Sequence, residues 1–482
     1  MSAVDPTFAS CRLARSISSR LRLHPDNSGI VELRDARDAF AARAHLADAA
    51  EVTLDIQYYI WRNDMSGTLL LAAVRRAANR GVKVRILLDD NNTSGLDPVL
   101  ALFDSHPNIE IKLFNPFTLR RARTLNFLFE FERLNRRMHN KTFTADHQVT
   151  IVGGRNIGDE YFDAHEEIAF VDLDVLAIGP VVADVELDFE RYWNSAAAHQ
   201  ATRYLKRSEP PSEQQLIQAA ERTTRSDAAR AFVHALQNSR FVKDLIAGTL
   251  HYEWAPTKVL SDDPAKALGK ARPRDLLTER LSRALREPAR ELRLISPYFV
   301  PTRAGVEALG DLVRSGVRVS VLTNALEATD VGVVHAGYAK HRKQLLKANV
   351  ELYEMRRMSA QTSGRDRKLT GSSGSSLHAK TFAIDRERIF VGSFNFDPRS
   401  ARLNTEIGFL IESPVLAARI ASAFDRDIPS RSYRVVLSKH GLLRWVELRD
   451  GKEHMHFTEP AAPWWRRAGL WVLAKLPIEW LL

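Results

Sequence analysis

Cysteine is almost missing from this chain. Its single occurrence, Cys11, excludes an internal disulfide framework and any cysteine-built metal site. Long apolar runs are missing too. No stretch of about 18 uninterrupted apolar residues occurs, so no clear transmembrane helix is expected. The first 20 residues lack the apolar centre of a signal peptide. Phe8-Ala9-Ser10-Cys11 has the look of a lipoprotein processing site without its apolar part, but a loosely ordered basic leader is the plainer expectation for residues 1–30. Acidic charge is in deficit: 59 Asp and Glu stand against 69 Lys and Arg, a formal net charge of +10. That balance suits an anionic partner, whether phospholipid headgroups, a membrane surface or nucleic acid.

What the chain has, it has twice. Residues 139–156 read HNKTFTADHQVTIVGGRN, and residues 378–395 read HAKTFAIDRERIFVGSFN. Both fit His-x-Lys-x4-Asp-x6-Gly-(Gly/Ser)-x-Asn. Each is followed by Glu-Ile-(Ala/Gly)-Phe, with Glu167 and Glu406 both 28 residues after their histidine (167 − 139 = 406 − 378). The surroundings repeat as well. Glu51 answers Glu291, Gly81 answers Gly316 and Ile109 answers Val350, at offsets of 240, 235 and 241 against 239 for the motif. Offsets this close mark an internal duplication.

Within the first copy, β-branched and aromatic runs at 52–61, 82–89 and 109–116 predict strands, and 38–50, 67–80 and 97–105 predict helices. The second copy predicts strands at 291–300, 316–325 and 350–354 around a helix at 304–315. This alternation signals an α/β fold with a mainly parallel sheet. The expected division is a leader (1–30), a first lobe (31–200), a helical connector (201–285), a second lobe (286–440) and a Trp-rich tail (441–482). The glycine-rich stretch 359–376 reads as a loop.

Each residue type in the motif has a chemical use. Histidine and lysine two apart project from one face of an extended strand. Lys141 and Lys380 supply fixed positive charge for phosphate oxygens. His139 and His378 can act as nucleophile, base or acid near neutral pH. A downstream carboxylate, Glu167 or Glu406, can accept the imidazole Nδ1 proton and leave Nε2 to react. Gly153, Gly154, Gly392 and Ser393 would let backbone approach an anion, and Asn156 and Asn395 add neutral hydrogen-bond donors. Asp146 and Asp385, on the far side of each strand–turn–strand unit, buttress the turn. Two histidines allow a double displacement through a phosphohistidine, with the lysines and asparagines offsetting developing charge. No metal or other cofactor is then required.

The paired HxKxxxxD motifs closely resemble those of the phospholipase D superfamily, over roughly residues 30–482. That resemblance implies a duplicated α/β phospholipase D fold: two mixed-sheet lobes flanked by helices, with one active site at their interface. It further implies His139 as nucleophile and His378 as general acid/base. Several stretches are similar to the C-type branch of bacterial cardiolipin synthases, among them LDIQYYIWRNDMSG (54–67), LLDDNNTSGLD (87–97), RRMHNK (136–141) and IVGGRNIGDEYF (151–162). The implied reaction is phosphatidyl transfer onto phosphatidylglycerol. Hydrolysis to phosphatidic acid and nuclease activity are the alternatives within the superfamily. The implied partners are anionic and zwitterionic phospholipids, at the bacterial cell membrane and peripherally bound. A nucleic-acid partner is disfavoured because the aromatics gather at the C-terminus rather than beside a groove.

Five of the eight tryptophans follow residue 444: Trp445, Trp464, Trp465, Trp471 and Trp480. Mixed with Arg466, Arg467 and Lys475, they suit a segment lying in a membrane interface, or else a helix docked on the second lobe. The stretch 120–137 sets Phe127, Leu128, Phe129 and Phe131 between basic residues, as a lipid-entry surface or a cap on the lobe.

Overall fold

The computed structural model describes residues 8, 10–120, 123–164, 168–205, 214–215, 218, 221–222, 227–286, 290–329, 331–359 and 374–474. Two compact units divide the chain, and the division is not a simple cut. The first unit takes residues 1–165, 173–277 and 403–409; the second takes 166–172, 278–402 and 410–482.

The first unit is built on a nine-stranded sheet. Its centre is the parallel trio Thr53–Ile60, Lys83–Asn92 and Ile109–Phe114. These strands are rich in Ile, Leu and Val and buried along most of their length, as parallel strands covered by helices must be. The motif hairpin, Thr142–Ala145 and Val149–Gly153, adds antiparallel to Thr53–Ile60, with Gln57 opposite Thr142 and Leu54 opposite Ala145. The second unit repeats that five-strand order. Arg388–Gly392 and Thr381–Ile384 form its hairpin, followed by Glu291–Ile295, Arg318–Asn324 and Glu351–Met355, the last three mutually parallel. The α/β duplication is therefore present strand for strand.

Both motif hairpins turn through two consecutive left-handed residues, Asp146-His147 (φ 51° and 56°) and Asp385-Arg386 (φ 56° and 57°). This is the type I′ geometry that matches the twist of the flanking strands. Aspartate tolerates the conformation and also supplies an anchor. Asp146 accepts hydrogen bonds from the backbone N–H groups of Glu51, Val52 and Thr53 at 2.8–3.2 Å. Asp385 accepts from Arg290 and Glu291.

Three expected boundaries are corrected. Residues 12–23, expected to be loose, form the helix Arg12–Leu23, whose Ala14 and Ile17 are buried; the arginines hide an apolar stripe at helical spacing. Cys11 is buried and caps that helix, its Sγ accepting from Ala14 N–H at 3.4 Å. The connector is not separate. Helices Asp227–Asn238 and Arg240–Ala247 pack on Ala36–Ala49, and Glu253–Ala255 pairs with Ser28–Leu33 in the first unit's sheet. The tail begins as sheet: Leu443–Arg449 pairs antiparallel with Ser432–Leu437, and Lys452–His456 pairs antiparallel with Leu443–Arg449, extending the second unit. Trp445 is thus a core residue, its Nε1–H donating to buried Glu354 at 2.8 Å. The helix Trp464–Leu473 then docks Leu470 against Leu326 and Ala336, while Trp464 and Trp465 stay 74% and 60% exposed. Trp480 and most of the loop 359–376 lie outside the described residues; 374–377 form a strand beside Ile168–Val171.

Candidate active site

The histidines sit in the extended lead-in to each hairpin rather than inside the strand. Their backbone N–H groups are claimed elsewhere: His139 N–H donates to Thr405 O at 2.8 Å, and His378 N–H to Val171 O at 2.8 Å. Both side chains are more than nine-tenths buried. In the first unit, His139 Nδ1 lies 2.8 Å from Glu406 Oε2. In the second, His378 Nδ1 lies 2.6 Å from Asp172 Oδ2. Each imidazole is thus held through Nδ1 by a fully buried carboxylate, which fixes the ring; the other nitrogen of His378, Nε2, lies 3.3 Å from Lys380 Nζ.

The carboxylates are supplied crosswise. Glu406 follows the second motif in sequence but belongs to the first unit, through segment 403–409. Asp172 follows the first motif but belongs to the second unit, through segment 166–172. Glu167, expected as the first-copy carboxylate, falls outside the described residues. The carboxylate that meets His378 is Asp172, which the sequence reading missed. A signal for it exists. Counted back from the helix-starting prolines, Asp172 is eight residues before Pro180 and Glu406 eight before Pro414 (180 − 172 = 414 − 406). Counting forward from the histidine misses it, because the first copy carries five extra residues after Asn156 (239 − 234, the offsets of the motif and of the prolines).

The lysines behave alike in the two units. Lys141 Nζ donates to the carbonyl of His139, and Lys380 Nζ to that of His378. Lys380 Nζ also stands 3.0 Å from His378 Nδ1. Tyr59 packs edge-on against His139, ring centroids 4.9 Å apart, with Lys141 Nζ 5.4 Å from the same ring. Both units therefore present a buried imidazole beside a fixed cation, the pairing that phosphate chemistry needs.

The remaining predicted site residues divide. Asn156 and Asn395 are buried; Asn156 turns its carbonyl to Ile60 N–H at 3.2 Å, and Asn395 Oδ1 has no hydrogen-bond partner among the described residues. Gly154, expected as an anion contact, donates its N–H to Leu173 O at 3.4 Å. Its neighbour Gly153 serves packing: a Cβ there would lie 2.1 Å from Asp174 Oδ1. Asp174 in turn pairs with buried Arg43 at 2.7 Å. Ser393 is buried directly after the strand Arg388–Gly392. Asp146 and Asp385, expected to buttress the turns, engage backbone N–H groups there and act as anchors.

Away from the motif, Asp55, His147 and Glu186 bring their donor atoms within 4.8 Å of one another. They make a poor cation host. Arg85 already grips Asp55 through two bonds of 2.7 Å, and burial pushes the Glu186 carboxyl up to about 9, so it holds its proton at neutral pH. On the helix Arg123–Leu134, Leu128, Phe129 and Phe131 are exposed as expected for a lipid-facing surface, while Phe127 turns inward, its ring 5.8 Å from that of Phe117. No helix among the described residues is long and apolar enough to cross a membrane.

The family model "Cardiolipin synthase, PLD-like domain" matches the chain twice, over residues 44–193 and 281–428. Cardiolipin synthase C of Escherichia coli (strain K12) is 50% identical over 473 residues, covering 98% of this chain and 100% of that protein. The major cardiolipin synthase of Bacillus subtilis (strain 168) is 25% identical over 404 residues, 84% of this chain and 69% of the relative. Among solved structures, the phosphatidylserine synthase of Haemophilus influenzae Rd KW20 superposes with a TM-score of 0.60 at 14% identity, over 97% of this chain and 100% of that one, a likeness of fold.

Proposed function

Because the chain belongs to the cardiolipin synthase, PLD-like domain family, we propose that it transfers a phosphatidyl group from one phospholipid to the headgroup hydroxyl of phosphatidylglycerol, making cardiolipin. The observation that carries this reading is the pair of buried imidazoles, each held at Nδ1 by its own carboxylate with a lysine alongside.

The sequence of bond changes follows from those groups. His139 Nε2 attacks phosphorus, and the bond from phosphorus to the donor's headgroup oxygen breaks as His378 passes a proton to that oxygen. The alcohol leaves, and the phosphatidyl group remains on His139 as a phosphohistidine. His378 then takes the proton of the acceptor hydroxyl, whose oxygen attacks phosphorus while the phosphorus–nitrogen bond breaks. Glu406 stabilises the His139 imidazolium that develops on attack, and Asp172 does the same for His378. Lys141, Lys380, Asn156 and Asn395 offset charge on the non-bridging oxygens.

The enzyme works at the membrane surface, peripherally held. Exposed Trp464 and Trp465 beside Arg466 and Arg467 support that reading, since aromatic and cationic side chains together favour the headgroup region.

The deciding experiment gives purified protein labelled phosphatidylglycerol, with and without phosphatidylethanolamine, and separates the products. Labelled cardiolipin is expected, with none from His139→Ala. Phosphatidic acid as the dominant product would replace transfer by hydrolysis. His378→Asn is expected to slow both formation and release of labelled phosphoenzyme; unchanged rates would remove its acid/base assignment.

A further inference from the structure

Glu406 can orient His139 only if its own backbone is fixed, and two buried aspartates outside the motif do the fixing. The segments carrying the two residues meet as a short parallel bridge. Met138 pairs with Thr405, His139 N–H donates to Thr405 O at 2.8 Å, and Thr405 N–H donates to Arg137 O at 2.9 Å. Thr405 Oγ1 adds a bond of 3.0 Å to Asn140 Oδ1.

Each side of this bridge is held by one fully buried carboxylate. On the histidine side, Asp89 Oδ2 accepts from Met138 N–H at 2.8 Å, while its other oxygen accepts from Asn91 N–H at 2.9 Å and faces Arg137 at 3.4 Å. On the glutamate side, Asp262 Oδ2 accepts from Glu406 N–H at 3.0 Å and from Lys266 Nζ at 2.9 Å. Asp262 Oδ1 takes Leu277 N–H at 2.8 Å. Asp262 also donates its own N–H to Glu406 O at 3.0 Å, so Glu406 is tied on both backbone groups. The Asp262 carbonyl is pinned in turn by Tyr192 OH, which donates to it at 2.9 Å. Asp262 uses one oxygen on Glu406 itself and the other on Leu277, whereas Asp89 uses one oxygen on Met138, the neighbour of His139, and the other on Asn91 and Arg137. Both aspartates reside in sequence that the reaction does not otherwise use, the 87–97 stretch and the 257–266 connector.

We propose that Asp89 and Asp262 are positioning residues for the His139–Glu406 pair, setting the nucleophile by gripping the backbone on either side of it. Neither touches substrate. This rests on the reading of His139 as nucleophile, but the grip on its ring orientation can be measured without turnover.

The test is a double-mutant cycle between Asp262→Asn and Glu406→Gln, read in two ways: by kcat and KM for cardiolipin formation, and by the rate at which diethyl pyrocarbonate modifies His139, followed by peptide mass spectrometry. If Asp262 acts through Glu406, Asp262→Asn lowers kcat and the His139 modification rate about 10-fold with KM unchanged. In the Glu406→Gln background the same change has less than about a twofold further effect, because coupled residues are non-additive. Equal factors in both backgrounds, or no change in either, overturn the proposal. Should Asp262→Asn not fold, Lys266→Gln weakens the same anchor, with a fall of about threefold expected that again disappears beside Glu406→Gln; a wild-type rate overturns the proposal. Asp89→Asn is expected to lower kcat at constant KM, and a change confined to KM counts against it. The two failures separate: if no cardiolipin forms but the modification cycle is non-additive, the function is wrong and the grip stands; if cardiolipin forms and the cycle is additive, the reverse holds.

Discussion

His139 and Glu406, 267 positions apart, meet at 2.8 Å with both side chains buried. An imidazole so held presents one tautomer, and a buried carboxylate is worth most to it when the ring becomes cationic during attack. Glu406→Gln keeps the shape and removes the charge. It is expected to lower kcat about 100-fold with KM nearly constant, measured as cardiolipin formed per enzyme. A rise in KM at constant kcat would mean that Glu406 serves substrate binding instead.

Asp172 faces His378 as Glu406 faces His139. Asp172→Asn is therefore expected to slow turnover about 10- to 100-fold, whereas Glu167→Gln stays within about twofold of wild type by the same comparison of a held and an unheld ring. The two variants belong in one assay, because a large loss from Glu167→Gln alone would return the assignment to the residue first suggested by spacing.

Glu186 is expected to make stability fall on the alkaline side. Burial raises its carboxyl from 4.5 to about 9, and the nearby Asp55 charge pushes in the same direction. The folded chain keeps this proton where the unfolded chain has released it, so folding takes up a proton between pH 4.5 and 9, and stability drops as pH rises through that window. His147, 3.0 Å away, is held neutral by burial and acts only below its ordinary pKa of about 6.5. Between pH 7 and 9 the Glu186 contribution is thus isolated. Glu186→Gln is expected to raise Tm by about 3 °C at pH 8 and to flatten its decline toward pH 9. A parallel pair of Tm curves would refute the buried neutral acid.

Trp464 and Trp465 project from a helix whose other face is docked through Leu470. Replacing both by alanine removes exposed apolar area without touching the core. Co-sedimentation with phosphatidylglycerol vesicles is expected to weaken about fivefold, at an unchanged Tm. Undiminished binding would shift attention to Phe129 and Leu128 on the helix Arg123–Leu134.

Much of the architecture is legible in the sequence. The parallel strands announce themselves as apolar runs because they are buried on both faces, and the hairpin aspartates because a two-residue turn leaves few alternatives. What escaped has physical causes. Asp172 was hidden by an insertion between it and the motif, which a count from the histidine cannot absorb. The helix Arg12–Leu23 was obscured by arginines that line its wet side. Trp445 looked interfacial by company, yet its indole N–H satisfies a buried carboxylate, a partner named only by tertiary contact. Asp89 and Asp262 carry no local signature, since their value lies in backbone groups 49 and 144 residues distant.

The exchange of segments 166–172 and 403–409 bears on ancestry. A protein of one repeat would own a histidine but not the acid that steers it, and would have found that acid only in a twin. Neither repeat is therefore complete by itself, since each histidine and the carboxylate that holds it are drawn from different copies.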